Sequence, residues 1–555
     1  MKRYLRSLFP AYHWCWLSLS AMATLVLAPQ IQSAESADVI VYGATSGGVT
    51  AAVQAAQQKA SVLLISPEKC LGGMTSGGLG WTDVGHPRVV GGLSRDFFHR
   101  VWKHYSAPEA WISDTREVFL KRPGQHITRA IDEANQVMWV FEPSAAEKVF
   151  KAMLMDAGVK VIQARLDLKN GVTMEGARIT SIRMEDGRVY KGRYFIDATY
   201  EGDLMAKAGV TYTVGREPNS LYNETLNGIQ TARALKHRPP HWKIDPYRVK
   251  GDPSSGLLPG INPKPNAPDG TGDKMVQAYC YRMTLTNVRQ NLVPIAKPDG
   301  YNELDYELLF RSIEAGETKF FKLDRMPNGK TDSNNTSEVS TDFIGMNYDY
   351  PEADHATREH IAKTHETWQR GLVWTLQNHP RVPEALRKQY SGWGLPKDEF
   401  TDNGNWSTQL YVREARRMVG ETVETERTIL DTKLQKRSVG MGIYMIDSHY
   451  VQRTQDADGY ILNEGTIGVR LPKPYKIDYG AIIPKAAECE NLLVSVAISA
   501  SHVAYGSIRM EPVFMVLGHS AGAAAALALE NNLPVQKVDY QTLRTVLLNG
   551  GQVLE

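Results

Sequence analysis

A chain of 555 residues with 42% hydrophobic and 22% charged side chains has a globular balance and enough length for two or more lobes. Its formal charge is only +2, with Lys and Arg scattered rather than gathered in a stripe, which excludes the usual footprint of a nucleic-acid partner. Of the four cysteines, Cys15 would leave with an N-terminal signal, and Cys70, Cys280 and Cys489 are widely separated, so C-x-x-C redox chemistry and a Cys-ligated iron–sulfur cluster built by this chain alone are excluded, while one disulfide stays open.

Lys2, Arg3 and Arg6 precede an apolar stretch from Trp14 to Ala28 that is short for a membrane span, and small residues follow at Ser33 and Ala34. This predicts a signal peptide over residues 1–34 and an exported protein, periplasmic or secreted. No later stretch is expected to form a stable membrane span. Asp38–Tyr42 reads as a buried strand, Thr50–Lys59 as a helix, and Ser61–Ile65 as a second strand, which together make a parallel βαβ unit. A helix is expected over residues 142–157, then β-like segments through residue 198. Beyond Glu217 the texture turns irregular, with helices expected at Asp354–Asn378 and Gln409–Val423. A strand near Asn491 and an Ala-rich helix over residues 513–530 restore the parallel-sheet pattern.

The turn between the first strand and its helix is Gly43-Ala44-Thr45-Ser46-Gly47-Gly48. A dinucleotide turn wants glycine at its first, third and sixth positions, and here Thr45 holds the third. Directly after a buried strand and opening a helix, the turn still offers N–H groups and a helix dipole to a pyrophosphate. The acid expected about twenty residues on, for the ribose, is replaced by Ser66, and Glu68 is the alternative.

The run Leu71-Gly72-Gly73-Met74-Thr75-Ser76-Gly77-Gly78-Leu79-Gly80-Trp81-Thr82-Asp83 resembles the flavin-side loop of an FAD-dependent oxidoreductase family among the glutathione-reductase-type flavoproteins. So do residues 197–204 (DATYEGDL), 409–418 (QLYVREARRM) and 501–512 (SHVAYGSIRMEP). Members of this family include exported bacterial proteins, some labelled xanthan lyase. The resemblance implies bound FAD, with Gly43, Thr45, Ser46, Gly47, Gly48, Ser66, Gly72, Gly73, Met74, Thr75, Gly77, Gly78, Asp197, Ala198, Glu511 and Pro512 around it. The glycines of the loop would let backbone approach a flat ring. Asp197 and Asp203 would be cofactor contacts or caps.

Pro512 suits the first turn of a helix whose N-terminus would point at the flavin. His502 is the expected base, with Tyr505 second and Arg509 holding an anionic group or developing charge. Arg413, Arg416 and Arg417, placed on the expected helix, would either grip an acidic substrate or pair with Glu414, Glu421 and Glu424. Gly518-His519-Ser520-Ala521-Gly522 matches a nucleophile elbow, but no histidine follows it, so Gly518 and Gly522 are read as close-packing positions. No H-E-x-x-H occurs and no metal is expected.

The fold expected is α/β: an FAD-binding Rossmann-type domain with a parallel sheet, from residues 35–215 and 475–555, and an inserted α+β substrate domain at 216–474. The function expected is hydride transfer between a small organic substrate, a sugar or sugar acid, and flavin, with an unidentified electron acceptor. A polysaccharide lyase and a non-catalytic flavin- or glycan-binding protein are the alternatives.

Overall fold

The computed structural model describes residues 34–124, 127–431 and 433–555, so the expected signal peptide lies outside the described residues. The organising element is a seven-stranded sheet. Its strands are β1 (Glu35–Tyr42), β2 (Val62–Ser66), β3 (Lys160–Gln163), β4 (Val172–Glu175), β5 (Arg178–Arg183), β6 (Val189–Asp197) and β7 (Leu492–Val494). The strand order is β3-β2-β1-β6-β5-β4, with β7 also paired to β6. Strands β3, β2, β1, β6 and β7 are mutually parallel, while β5 and β4 add an antiparallel extension. The division falls within β6: Tyr190 and Lys191 pair with β5, whereas Phe195–Asp197 pair with β7. A strand from residue 492 thus closes beside one ending at residue 197, which joins the two ends of the chain in one Rossmann-type domain.

The parallel strands are apolar runs because both faces of the sheet are buried. Val39, Val41 and Leu64 belong to the large core cluster, and Ile40, Leu63 and Phe195 to the smaller one on the other side. Helix α1 (Ser46–Gln57) begins four residues earlier than the pattern suggested. Helix α2 (Met74–Gly77) is one turn, α3 (Pro143–Asp156) starts on its proline, and α4 (His355–Asn378) matches its expected span. Near the end lie α5 (His502–Ile508) and α6 (Glu511–Asn531).

Helix α6 lies against α1 so closely that side chains are excluded at the contact. A Cβ on Gly518 would sit 2.0 Å from the Gly47 carbonyl oxygen, and one on Gly522 2.3 Å from that of Ala51. Ser520, the apparent nucleophile, is buried and donates to Val439 O at 2.6 Å. Among the described residues α6 alone is long and apolar enough to cross a membrane, but 94% of its apolar window is buried, as in a core helix.

The helix expected at Gln409–Val423 does not form. That segment is extended, with Arg416–Met418 paired antiparallel to Tyr212–Val214. Buried ion pairs override its helical residue types: Arg417 meets Glu217 at 2.7 Å and Glu414 at 2.9 Å, Arg413 meets Asp342, and Arg416 meets Asp203. No helical face therefore gathers the three arginines.

Candidate functional site

The carboxyl ends of β1, β2 and β6 open on one edge of the sheet, where open α/β folds bind ligands. Gly43 follows Tyr42 with φ +103°, a left-handed conformation, and a Cβ there would lie 2.7 Å from the Ala198 backbone. The turn thus needs glycine both for its dihedral and for the approach of β6. Thr45 does not need to be glycine. Its φ of −64° is ordinary, and its hydroxyl accepts from Gly48 N as the N-cap of α1 and donates to Ala198 O at 2.7 Å. Nor has Gly48 room for a side chain, since its Cβ would stand 1.8 Å from Gly43 O.

A chain of cavities follows this edge. A narrow throat of about 30 Å³ lies between Gly43–Thr45, Ser66–Glu68, Gly73 and Thr199–Glu201. On one side it meets a cavity of about 670 Å³ beside α3, and on the other one of about 120 Å³ beneath α4. Pro67, Glu68 and Gln409 line all three. Ser66 is buried and donates its hydroxyl to Glu68 O at 2.5 Å, whereas the Glu68 side chain is exposed in the cleft. Glu68's carboxyl is pushed up by partial desolvation, with Arg165 and His355 pulling it down. Glu201 lines the cleft too. Burial raises its carboxyl to about 7 against the pull of Arg358, and it accepts from Tyr350 Oη at 3.0 Å.

Asp197 turns away from the cleft, whereas Asp203 lines the cavity beneath α4. Asp197 accepts from Thr199 N, Thr199 Oγ1 and Met205 N, closing the turn after β6, and burial raises it to about 6. Asp203 is held by Arg358 and Arg416. Both behave as caps and ion-pair partners.

Glu511 ties the recognised segments together. Its Oε2 accepts from Ser46 Oγ at 2.6 Å and Thr75 Oγ1 at 2.7 Å, and its Oε1 from Tyr200 Oη at 2.8 Å. Tyr200 Oη in turn accepts from Met74 N at 2.8 Å. A carboxylate in the first turn of α6 also complements the helix dipole, so that terminus is partly satisfied by the chain itself. The loop glycines serve this packing. Gly73 has φ +57° and stands against Tyr200 Oη, Gly72 against Phe150, Gly77 against Gln409 and Gly78 against Arg282 O. The close approach they permit is to the protein's own atoms.

His502 and Tyr505 do not face an opening. Buried in α5, His502 has Nδ1 2.8 Å from Glu414 Oε2 and Nε2 3.3 Å from Ser448 Oγ. Tyr505 donates to Val496 O. The first turn of α5 points inward because the Ser501 cap and Glu217, which accepts from His502 N, fix its backbone. Arg509 reaches a different, partly open group: its guanidinium donates to Tyr411 Oη at 2.9 Å and to Asp447 O at 2.9 Å. Asp447, His449, Asp83 and Tyr444 complete that group, with Tyr444 donating to Asp83 at 3.1 Å. Asp447 is pushed up by burial, yet His449, Arg509 and Arg413 hold it at about 2. Sequence reading passed over Asp447 and His449, which lie in an irregular segment. Asp83 and Tyr411 lay inside recognised runs without being assigned a task.

A family model described as FAD dependent oxidoreductase matches residues 38–547. The chain belongs to the FAD-dependent oxidoreductase family. FAD is its cofactor, and the cleft fits it: an anion-ready helix terminus behind a glycine turn, with cavities on both sides. None of the curated proteins matches the flavoenzyme. Among solved structures, it is similar to L-proline dehydrogenase from P. horikoshii, at 19% identity over 33% of this chain and 59% of that one, TM-score 0.23. It is similar also to L-amino acid deaminase from Proteus vulgaris, at 16% identity over 33% and 53%, TM-score 0.23. A flavin-containing monooxygenase from Stenotrophomonas maltophilia matches at 16% identity over 34% and 43%, TM-score 0.19. The chain thus spans less than two thirds of the length of these structures.

Proposed function

We propose that this flavoenzyme oxidises a small organic substrate, a sugar or sugar derivative, by hydride transfer, and passes the electrons on to a separate acceptor. The observation that carries this reading is Arg509. It sits two residues before Glu511, at the head of the helix that meets the dinucleotide turn, and its guanidinium belongs to a polar group that keeps contact with solvent. Bound FAD supplies the hydride acceptor. The N–H groups at the start of α1 take the pyrophosphate, and Glu68 takes the ribose in place of Ser66, whose hydroxyl is engaged on a carbonyl. Arg509 and Tyr411 hold a substrate oxygen.

Two further expectations stand as part of this proposal: that residues 216–474 form the substrate domain, and that the protein is exported. Export is checked by fractionating cells and sequencing the N-terminus of the mature protein. The chemistry is tested by anaerobic titration of the FAD-loaded protein with aldoses, polyols, uronic acids and amines, following the blue flavin absorbance. Bleaching by a member of the panel is the expected result. Bound flavin that none of these compounds bleaches overturns hydride transfer from this substrate class.

A further inference from the structure

Three guanidiniums surround one ring. Arg413, Arg509 and Arg282 lie 4.5, 5.8 and 6.0 Å from the centre of the Tyr411 ring. Each is already paired: Arg413 with Asp342 at 2.8 Å, Arg509 with Asp447 at 3.2 Å, and Arg282 with Asp332 at 2.7 Å and Asp83 at 3.5 Å. Three cations therefore meet four carboxylates, which leaves no guanidinium spare for a substrate carboxylate. The guanidiniums are buried, and solvent contact falls to the carboxylates, with Asp83 at 15% and Asp447 at 29% exposure. Their charge is largely neutralised by their arginines, but their remaining lone pairs can still accept hydrogen bonds. Carboxylates of that kind suit hydroxyl donors better than they suit an ammonium ion or a uronate.

His449 borders Asp447, the most exposed carboxylate of this group, and is itself only 11% exposed. Its Nδ1 lies 2.7 Å from Asp342 Oδ2 and its Nε2 3.7 Å from Asp447 Oδ2. Asp342 is buried and fixed from its other oxygen by Arg413, so it orients the ring through Nδ1, while Nε2 has no partner among the described residues closer than Asp447 Oδ2. His502 has a similar carboxylate partner but no way out, since Glu414 and Ser448 take both ring nitrogens. Arg509 Nε has no acceptor among the described residues, a donor left over for an oxygen gaining negative charge.

We propose that this cluster is the substrate site, that it takes a neutral polyhydroxylated molecule, and that His449 is the catalytic base with Asp342 as its positioning residue. The inference rests on the hydride-transfer reading above. In the step, the O–H bond of one carbinol breaks and its proton goes to His449 Nε2. The C–H bond breaks with its electron pair passing to oxidised FAD, and the C=O bond forms. The carbinol is oxidised to a carbonyl and FAD is reduced.

The test uses the full FAD-loaded chain without oxygen and four probes: glucose, myo-inositol, glucuronate and methylamine. Glucose or inositol should perturb the bound-flavin spectrum and bleach it, while glucuronate and methylamine do neither. Bleaching by glucuronate or methylamine alone keeps hydride transfer and overturns the neutral-polyol site. Perturbation by the neutral probes without bleaching keeps the site and overturns hydride transfer. No response to any neutral probe overturns the inference. With a bleaching polyol in hand, H449Q should slow reduction by about 10²–10⁴-fold while flavin content and spectral perturbation persist. It should also remove the acid limb of the pH–rate profile, a change that a purely structural histidine would not cause. If H449Q loses its flavin, D342N carries the same test, with a displaced acid limb expected. A change under about tenfold with an unaltered profile overturns the assignment of the base.

Discussion

The cofactor cleft and the polar group around Tyr411 are built in opposite ways. The cleft is made largely of backbone at the ends of adjacent parallel strands, and its demands fall on a few residues close in sequence, such as Gly43, Thr45 and Gly48. The polar group is made of side chains gathered from residues 83, 282, 342, 411, 447, 449 and 509, each fixed by a partner from another segment. A backbone site is set by local geometry and tolerates no added atom. A side-chain site is set by charge pairing and fails by degrees. Substitutions in the two regions should therefore separate loss of cofactor from loss of chemistry.

The largest effect is expected at the turn. Gly48→Val would drive atoms into Gly43 O, a contact that neither segment can relieve, at a cost of about 3 kcal/mol, the upper end for overpacking. The variant should purify, if at all, without flavin absorbance. Normal flavin content in Gly48→Val would break the claim that the turn is built to the limit of its backbone.

Arg509→Lys tests the opposite kind of failure. Lysine keeps the charge but cannot donate to Tyr411 and Asp447 at once from a planar fork. Flavin content should be unchanged, while reduction by substrate slows by about 10²–10³-fold, as for loss of one oriented donor at a reacting oxygen. Loss of flavin in this variant would merge the two regions. A smaller change, on the cofactor side, is expected for Glu68→Gln. Losing a charged hydrogen-bond partner should weaken FAD binding by about 10- to 100-fold in a fluorescence titration, whereas Ser66→Ala should leave it within about threefold.

The same division explains what could be read from sequence. The βαβ unit, α3, α4 and α6 were legible because strands buried on both faces and capped helices leave local patterns. Thr45 looked like a defect only because the motif names a residue, whereas the structure needs an N-cap there. Residues 409–423 misled because Arg and Glu favour helices in isolation, and only buried partners elsewhere in the chain make the segment extended. His502 was chosen for its chemistry alone. Its burial between Glu414 and Ser448, and the pairing of His449 with Asp342, depend on long-range packing that no local pattern records.

The smallest effect, and the one most specific to the cleft, is a pH dependence. Glu201 shares the throat with the site assigned to the pyrophosphate, and burial raises its carboxyl to about 7 even with Arg358 opposing. Below that pH the group is neutral; above it, a second negative charge faces an anionic cofactor. Affinity for FAD should therefore fall as pH rises through about 7, by no more than about tenfold because the cleft is open to solvent. The sign is the same for the free protein. A carboxyl raised on folding stabilises the fold below its unfolded value and loses that contribution as pH climbs through 7. Glu201→Gln should flatten the affinity profile without touching the pH dependence of substrate reduction, which belongs to the other region. FAD affinity that rises with pH in the native protein, or a slope that survives in Glu201→Gln, would place the controlling charge elsewhere, with Glu68 the next carboxylate along the same wall.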